Sequence, residues 1–378
     1  MFKLNNKLIF RKFFTDINRA FLLFLLSFSL IVWAIQAVNY LDYVTEDGHG
    51  LLVYLNYTFL NLPKIITRLV PIIFFISIYY IINKYEDNNE LKIFWFIGIK
   101  KKEIVNKMIK YSLFFSLFLI LLTAFTVPLT QKKSRELIIS SGIDFFPSLI
   151  REKKFIDTVE GLTIFVEKKE GNKYKNIFLK DDKNSNNKII YAKNGFLVNN
   201  EKERSIRLSE GKIININEGN ISEFNFKNTT FDLSNYVTKS IIDFKVQERS
   251  TFSLSDCYIN FHVLDNKKDY YDPLNCNQPA IKEIESELYK RLIKPTYLIL
   301  LSIICGLIFL TSKENESNRK YRISIFILGI SVIILSELLS SFLQRSNFAL
   351  LIAIVTPLVL SLMIYYFFRN YGSTKLIL

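Results

Sequence analysis

Three long apolar stretches, a polar middle and three more apolar stretches set what this chain can fold into. They run roughly 20–40, 59–82 and 111–129, then 295–312, 323–344 and 348–368. Each approaches the ~20 residues that a helix needs to cross ~30 Å of hydrocarbon at ~1.5 Å per residue. Hydrophobic residues make up 50% of the chain, and a water-soluble protein so rich in Phe and Tyr would expose apolar patches and aggregate. Membrane insertion follows. The second stretch is the least regular, because Leu51 to Ile82 is too long for one upright helix and is interrupted by Pro63, Lys64, Arg68 and Pro71. Its span is set at 59–82, with Leu51–Tyr57 lying at the outer interface or extending the helix. The first run, Ala20 to Tyr40, has a basic segment before it and no Ala-x-Ala pattern after it. It therefore reads as a retained span and not as a signal peptide.

Orientation comes from Lys and Arg in the short loops. The N-terminal segment, the 83–110 loop, the 313–322 loop and the C-terminal tail are rich in them, with seven in 83–110 alone. Loop 41–50 has none, and the 345–347 turn has only Arg345. Both termini are expected in the cytoplasm and the polar middle outside it. The formal charge of +14 is no objection, because long domains do not count in this rule.

From about Thr158 to Leu233 the middle alternates in short runs closed by turn residues. Leu162–Val166, Ile177–Leu179, Lys188–Ala192, Ser205–Leu208, Lys212–Ile216 and Ser222–Phe226 are such runs, with Gly171, Gly195, Gly211 and Gly219 among the turn residues. The spacing predicts an antiparallel sandwich or barrel-like sheet. Two readings of its inner face stay open: a filled core, or an apolar trough that shelters a lipid tail. Cys257 and Cys276 lie in this outer region, where a disulfide and two unpaired thiols are both open; Cys305, in an apolar run, reads as a buried inert thiol. With His49 and His262 the only histidines, and no zinc spacing, histidine-based catalysis has little to draw on. No Gly-x-x-x-x-Gly-Lys-Ser/Thr loop is present either, so any nucleotide chemistry needs a partner.

The loop between the second and third spans is the most informative segment. Asp87, Asn88 or Asn89 is placed to cap a helix of about 86–98, Glu90 suits its first turn, and Gly98 suits its C-terminal end. Leu91, Phe94, Trp95 and Gly98 recur at i, i+3, i+4 and i+7, which makes the helix amphipathic. It either floats at the lipid headgroups or plugs into a cytoplasmic partner with Glu90 as its charged anchor.

The order acidic–Leu, apolar stripe, Gly, basic helix resembles the coupling helix of permeases driven by a separate ATPase. The wider pattern is more specific. Ile31-Val-Trp33-Ala-Ile-Gln36, the Leu62-Pro63 and Leu69-Val-Pro71 pair, and Asn89-Glu90-Leu91 with Gly98 resemble the lipopolysaccharide export permease family, LptF and LptG. So do Leu162–Val166, Ile177–Asp181 and Ala192–Gly195 in the middle, and Arg291-Leu-Ile-Lys-Pro295 at the opening of the fourth span. Trp33 and Gln36 side with LptF. The resemblance covers essentially the whole chain. It implies a membrane α-helical fold, six helices in a 3+3 arrangement, with an inserted periplasmic all-β jellyroll-like domain. The expected division is 1–130, 131–290 and 291–378. The partners it implies are an LptG-type permease, an LptB-type ATPase dimer, LptC and LptA, with lipopolysaccharide as cargo and no cofactor. Glu90, Leu91, Phe94, Trp95 and Gly98 are then the ATPase-coupling candidates.

Such a cargo needs an apolar path for its acyl chains and cations for its phosphates. Lys132, Lys133 and Arg135 after span three, and Arg291 and Lys294 before span four, are placed at the outer interface as lipid contacts or as snorkelling anchors. Lys64 and Arg68 carry more weight, since a cation inside a span costs about 2.5 kcal/mol or more unless paired or facing a cavity. Arg68 is also a candidate to pair with Glu337, an acid inside span five. Rival readings are a permease for another lipid or lipoprotein, a membrane-anchored transferase and a membrane-anchored sensor or structural protein. The first does not match the 3+3 layout. The transferase lacks an outer-face Asp, His or Cys cluster, and the sensor leaves the coupling-type helix unexplained.

Overall fold

The computed structural model describes residues 2–41, 50–141, 150, 152–159, 161–171, 173–182, 187–200, 203–217, 220–233, 245–263, 278–311, 317–343 and 349–374. Among them, six helical segments are long and apolar enough to cross a membrane: Lys7–Asn39, Leu51–Asp87, Lys101–Ile138, Ile281–Leu310, Asn318–Phe342 and Leu351–Asn370. The β-strands fall between the third and the fourth, so the 3+3 arrangement with an inserted β domain is present.

Several spans run past the apolar runs because their polar ends still bury one face. In α1 (Phe2–Asn39), Phe10, Phe13, Ile17 and Phe21 are buried at spacings of three and four, one stripe of a helix. The second span is α2 (Leu51–Leu60) followed by α3 (Leu62–Asp87), so Leu51–Tyr57 extends the span as helix. Pro63 falls in the first turn of α3, where its missing N–H breaks no intrahelical bond. After a short loop helix, α4 (Glu90–Phe96), the third span is α5 (Lys101–Leu121), a π turn (Leu122–Thr126) and α6 (Val127–Ser141). Beyond the strands lie α7 (Thr251–Val263) and α8 (Gln278–Leu288), a second π turn (Tyr289–Ile293), α9 (Tyr297–Gly306), α10 (Asn318–Phe342) and α11 (Ala349–Thr374).

The chain divides into two compact units. One comprises Met1–Ala34, Asn61–Gln131 and Lys245–Leu378; the other comprises Ile35–Leu60 and Lys132–Phe244. Residues from Lys245 onward, α7 included, thus pack with the helices and not with the sheet. Inside the helical unit, burying apolar area against a neighbour gains little over burying it in lipid, so close packing and interhelical hydrogen bonds hold helices together. Ser112 and Ser302 share a buried hydrogen bond of 3.0 Å between α5 and α9. A β-carbon added at Gly306 would lie 2.8 Å from Val105, and one at Gly329 would lie 2.0 Å from the Phe75 ring. Cys305 is buried and free. Cys257 in α7 is disulfide-bonded; Cys276 lies outside the described residues.

The sheet is a meander: β1 (Phe155–Val159), β2 (Leu162–Glu170), β3 (Lys173–Asp181), β4 (Asn187–Asn200), β5 (Glu203–Asn217) and β6 (Asn220–Asp232) pair antiparallel in sequence order. A flat sheet buries one face only if something covers it. Here the strands cover each other by bending along one line. In a straight strand, residues on one face are an even number apart. Yet Tyr174 and Ile177, Ala192 and Leu197, and Phe226 and Phe231 sit an odd number apart in the same core. The slip falls on a single cross-strand row, Glu167, Asn176, Lys193, Glu210 and Lys227, which the pairing skips on the four ladders from β2–β3 to β5–β6. Asn176 and Glu210 take positive φ there (50° and 53°), which lets the backbone turn. The sheet is therefore creased, and its inner face is filled by Leu162, Ile164, Ile177 and Leu179 from one side of the crease and by Leu197, Ile206, Leu208 and Phe231 from the other. Of the two readings of the inner face, this conformation shows the filled core. Tyr174 is buried with them, and burial pushes its hydroxyl up to about 12.

Gly211 is the tightest point of the sheet. A β-carbon there would sit 2.0 Å from the Tyr191 carbonyl oxygen and 2.9 Å from the Ala192 α-carbon, both backbone. Gly211→Ala is expected to cost about 3 kcal/mol, at the top of the usual overpacking range. A protease-resistance midpoint for the β domain equal to wild type would refute the contact.

Candidate functional site

The helical unit holds a polar cavity of about 430 Å3, lined from α3, the third span and the fourth and fifth spans. Lys64, Arg68, Lys290, Arg291 and Lys294 line it, against Glu287 and Glu337. The two carboxylates are already engaged. Glu287 binds Arg291 Nε at 2.9 Å, and Glu337 binds Lys294. Lys64 donates to Gln131 Oε1 at 3.2 Å, and Gln131 Nε2 in turn donates to Asn61 Oδ1 at 2.8 Å. Among the described residues, no ion pair within 4.0 Å engages Lys64, Arg68 or Lys290. The cavity is thus net positive within a unit of membrane helices, the chemistry that receives a phosphate or carboxylate.

Two expectations are corrected here. Glu337 pairs with Lys294 and not with Arg68, although both Arg68 and Glu337 reach the cavity. Lys294 stands four residues before Leu298, at the edge of the apolar run, and its long stem carries the ammonium to Glu337 of α10. Arg291 is not a free cation for lipid. It is only 2% exposed, and its guanidinium donates to Glu287, the Arg249 and Gln247 carbonyls and Thr251 Oγ1. Lys132, Lys133 and Arg135 belong to the other unit; Lys132 and Lys133 are exposed, and Lys132 meets Glu136 at 3.8 Å one turn on. Reading only interface positions and charges inside apolar runs missed Lys290, Gln131 and Gln247. Lys290 stands next to the Arg291 motif, but no single-residue signal shows that its side chain reaches the same cavity as Lys64.

The loop helix α4 is the second candidate site. It is shorter than the expected 86–98 and lacks a side-chain cap. Asn89, at φ 59°, closes α3 and opens α4 in one residue, a left-handed position that Asn tolerates. Its other end follows expectation. Gly98 has φ 81°, its N–H reaches the Trp95 carbonyl, and the Ile99 N–H reaches the Phe94 carbonyl at 2.9 Å. That pair of bonds is a Schellman stop.

The apolar stripe of α4 turns inward. Leu91 and Phe94 are 5% and 2% exposed, and Phe94 packs edge-on against Phe10, Phe13 and Tyr85. As contacts for a partner both are therefore corrected to core residues; a seven-residue helix holds its place only by docking its apolar face on the chain's own helices. Trp95 is half-buried against Phe309, with Lys101 over its ring. Glu90 faces Lys12 at 3.5 Å. What α4 leaves outside is Lys92, Ile93 and Phe96, the last 88% exposed. At the foot of α3, Arg322 of α10 binds Glu86 at 2.9 Å and Asp87 at 3.0 Å, tying the two halves of the membrane unit.

A chain with six spans, a cation-lined cavity among them and an inserted sheet domain has the build of a multi-pass membrane permease. The family model described as "Lipopolysaccharide export system permease LptF/LptG" matches residues 9–370. This chain belongs to the LptF/LptG family of lipopolysaccharide export permeases. It is also similar to an uncharacterized protein of Rickettsia prowazekii (strain Madrid E), 26% identical over 311 residues, which cover 80% of this chain and 82% of the relative.

Proposed function

We propose that the chain is the LptF-type subunit of an ATP-driven exporter in the cell inner membrane, with both termini in the cytoplasm and the creased sheet in the periplasm. It pairs with an LptG-type permease, an LptB-type ATPase dimer docks on the exposed side of α4, and cargo passes to LptC and LptA. Trp33 and Gln36 support the LptF assignment, and the Lys- and Arg-rich 83–110 and 313–322 loops support the orientation. The observation that carries the reading is the cavity in which Lys64, Arg68 and Lys290 have no carboxylate within 4.0 Å among the described residues. These cations hold the lipid A phosphates, whose charge is delocalised over several oxygens and binds guanidinium and ammonium donors well. The filled interior of the sheet opens about its bend line to admit acyl chains.

A photocrosslinker at position 68 or 290 is expected to label lipopolysaccharide in native membranes, and a control at lipid-exposed Leu26 is not. Replacing Arg68 and Lys290 together by Gln should lower surface delivery about tenfold or more, since a bond to a charged group is worth ~1.5–3 kcal/mol. Labelling of bulk phospholipid alone at both positions would sink the cavity assignment.

A further inference from the structure

The two π turns face each other. A π turn inserts one residue into a helix and breaks its regular hydrogen-bond ladder, so local carbonyls look elsewhere for donors. Thr123, in the first turn, donates its hydroxyl to the Arg291 carbonyl in the second at 2.8 Å. The Ala124 carbonyl of the first turn accepts from Thr251 Oγ1. Thr251 opens α7, and its oxygen also receives Arg291 Nη1 at 3.0 Å. The same guanidinium reaches the Arg249 carbonyl at 2.9 Å and the Gln247 carbonyl at 3.0 Å. Three separate stretches of chain meet at Arg291: the third span reaches its backbone carbonyl, the fourth span carries it and supplies Glu287, and the segment 247–251 that follows the sheet in the sequence takes its guanidinium.

Stripping several partners from a buried guanidinium is costly, because an unpaired buried charge loses far more than a broken neutral bond. Moving 247–251 therefore requires either that Arg291 lose several partners at once or that both π turns move with it. Single π turns inside helices recur at functional sites, so the second course is open to the chain. Thr123, Gln247, Glu287 and Arg291 all line the polar cavity, so the same motion reshapes its wall.

We propose that Arg291 is a positioning residue that clamps segment 247–251 to the paired π turns, making the segment and the cavity wall one moving body without itself touching cargo. The transport consequence rests on the function proposed above; the mechanical linkage does not. The test uses the full chain in lipid nanodiscs, with amide hydrogen exchange read for wild type, Thr251→Val, Thr123→Val and Arg291→Lys. Removing one corner should speed exchange about tenfold in the other two segments, consistent with the loss of ~1.4 kcal/mol of a shared bond network, while 73–82 of α3 stays unchanged. Exchange that changes only in the mutated segment overturns the proposal. If Arg291→Lys fails to insert, the two Thr variants carry the test, since each removes a hydroxyl and leaves the cation paired. In native membranes, Thr251→Val should also lower lipopolysaccharide labelling at position 68 severalfold. Unchanged labelling alongside linked exchange overturns the positioning role. Absence of labelling in the otherwise wild-type chain counts against the proposed function, and exchange then decides the clamp by itself.

Discussion

Phe96→Asp is expected to leave the chain folded and inserted while removing at least ~90% of the ATPase that co-purifies with it. Phe96 is 88% exposed at the end of α4, and isolated surface substitutions of this kind change stability by only about 0.5 kcal/mol. An aromatic anchor at the centre of an interface is worth ~2 kcal/mol or more in binding, over tenfold in affinity. Ile93 is also exposed, as are Lys92 and Lys100 nearby in the sequence. Phe94→Ala, two residues away, should behave oppositely. It empties a site 2% exposed between Phe10, Phe13 and Tyr85, and such a truncation costs about 3–5 kcal/mol of stability. Pull-down yield and thermal midpoint, measured together on both variants, separate the two roles. Full ATPase retention by Phe96→Asp would show that α4 is not the docking element, and the Lys12–Glu90 contact would then be a local surface pair of little energetic weight.

Gly329→Leu should prevent the membrane unit from assembling, and this is the largest stability effect expected at a single position. A β-carbon on Gly329 would stand 2.0 Å from one ring carbon of Phe75 and 2.3 Å from the next. Phe75 is fully buried and tilted against Tyr79 and stacked on Phe326, so its ring has nowhere to move. Gly329→Ala is the measurable version, at about 3 kcal/mol. Shrinking the ring in the same chain, Gly329→Ala with Phe75→Leu, should recover most of that loss, because the two substitutions act on one contact and are strongly non-additive. The readout is the temperature at which half of the protein stays monodisperse in detergent. Independent, additive losses would show that α3 and α10 do not meet through this pair.

Apolar length and strand spacing left little freedom in the architecture. Six spans and an inserted antiparallel sheet were legible because each depends on neighbours in the chain: the run of apolar residues, the period of a strand, Gly98 after the last turn of a helix. Lys64 and Arg68 were legible as cavity residues for a similar reason, since a charge within an apolar run announces its own cost. Periodicity could not tell which neighbour an apolar stripe meets. Leu91 and Phe94 form the stripe of a partner-seeking helix, yet the chain's own helices take them up, and the exposed tip falls to Phe96 off the stripe.

What only the tertiary structure decided was pairing at long separation. Arg291 and Glu337 each had a plausible local story, as an interface anchor and as the mate of Arg68; in the fold one is a buried joint and the other binds Lys294. The crease of the sheet also needed the fold, because a bend line appears only when the slips in several strands fall on one cross-strand row. Span length and strand period are properties of consecutive residues and are written along the chain. The partners of a buried charge depend on which distant backbone arrives beside it, and that is set by how the helices pack.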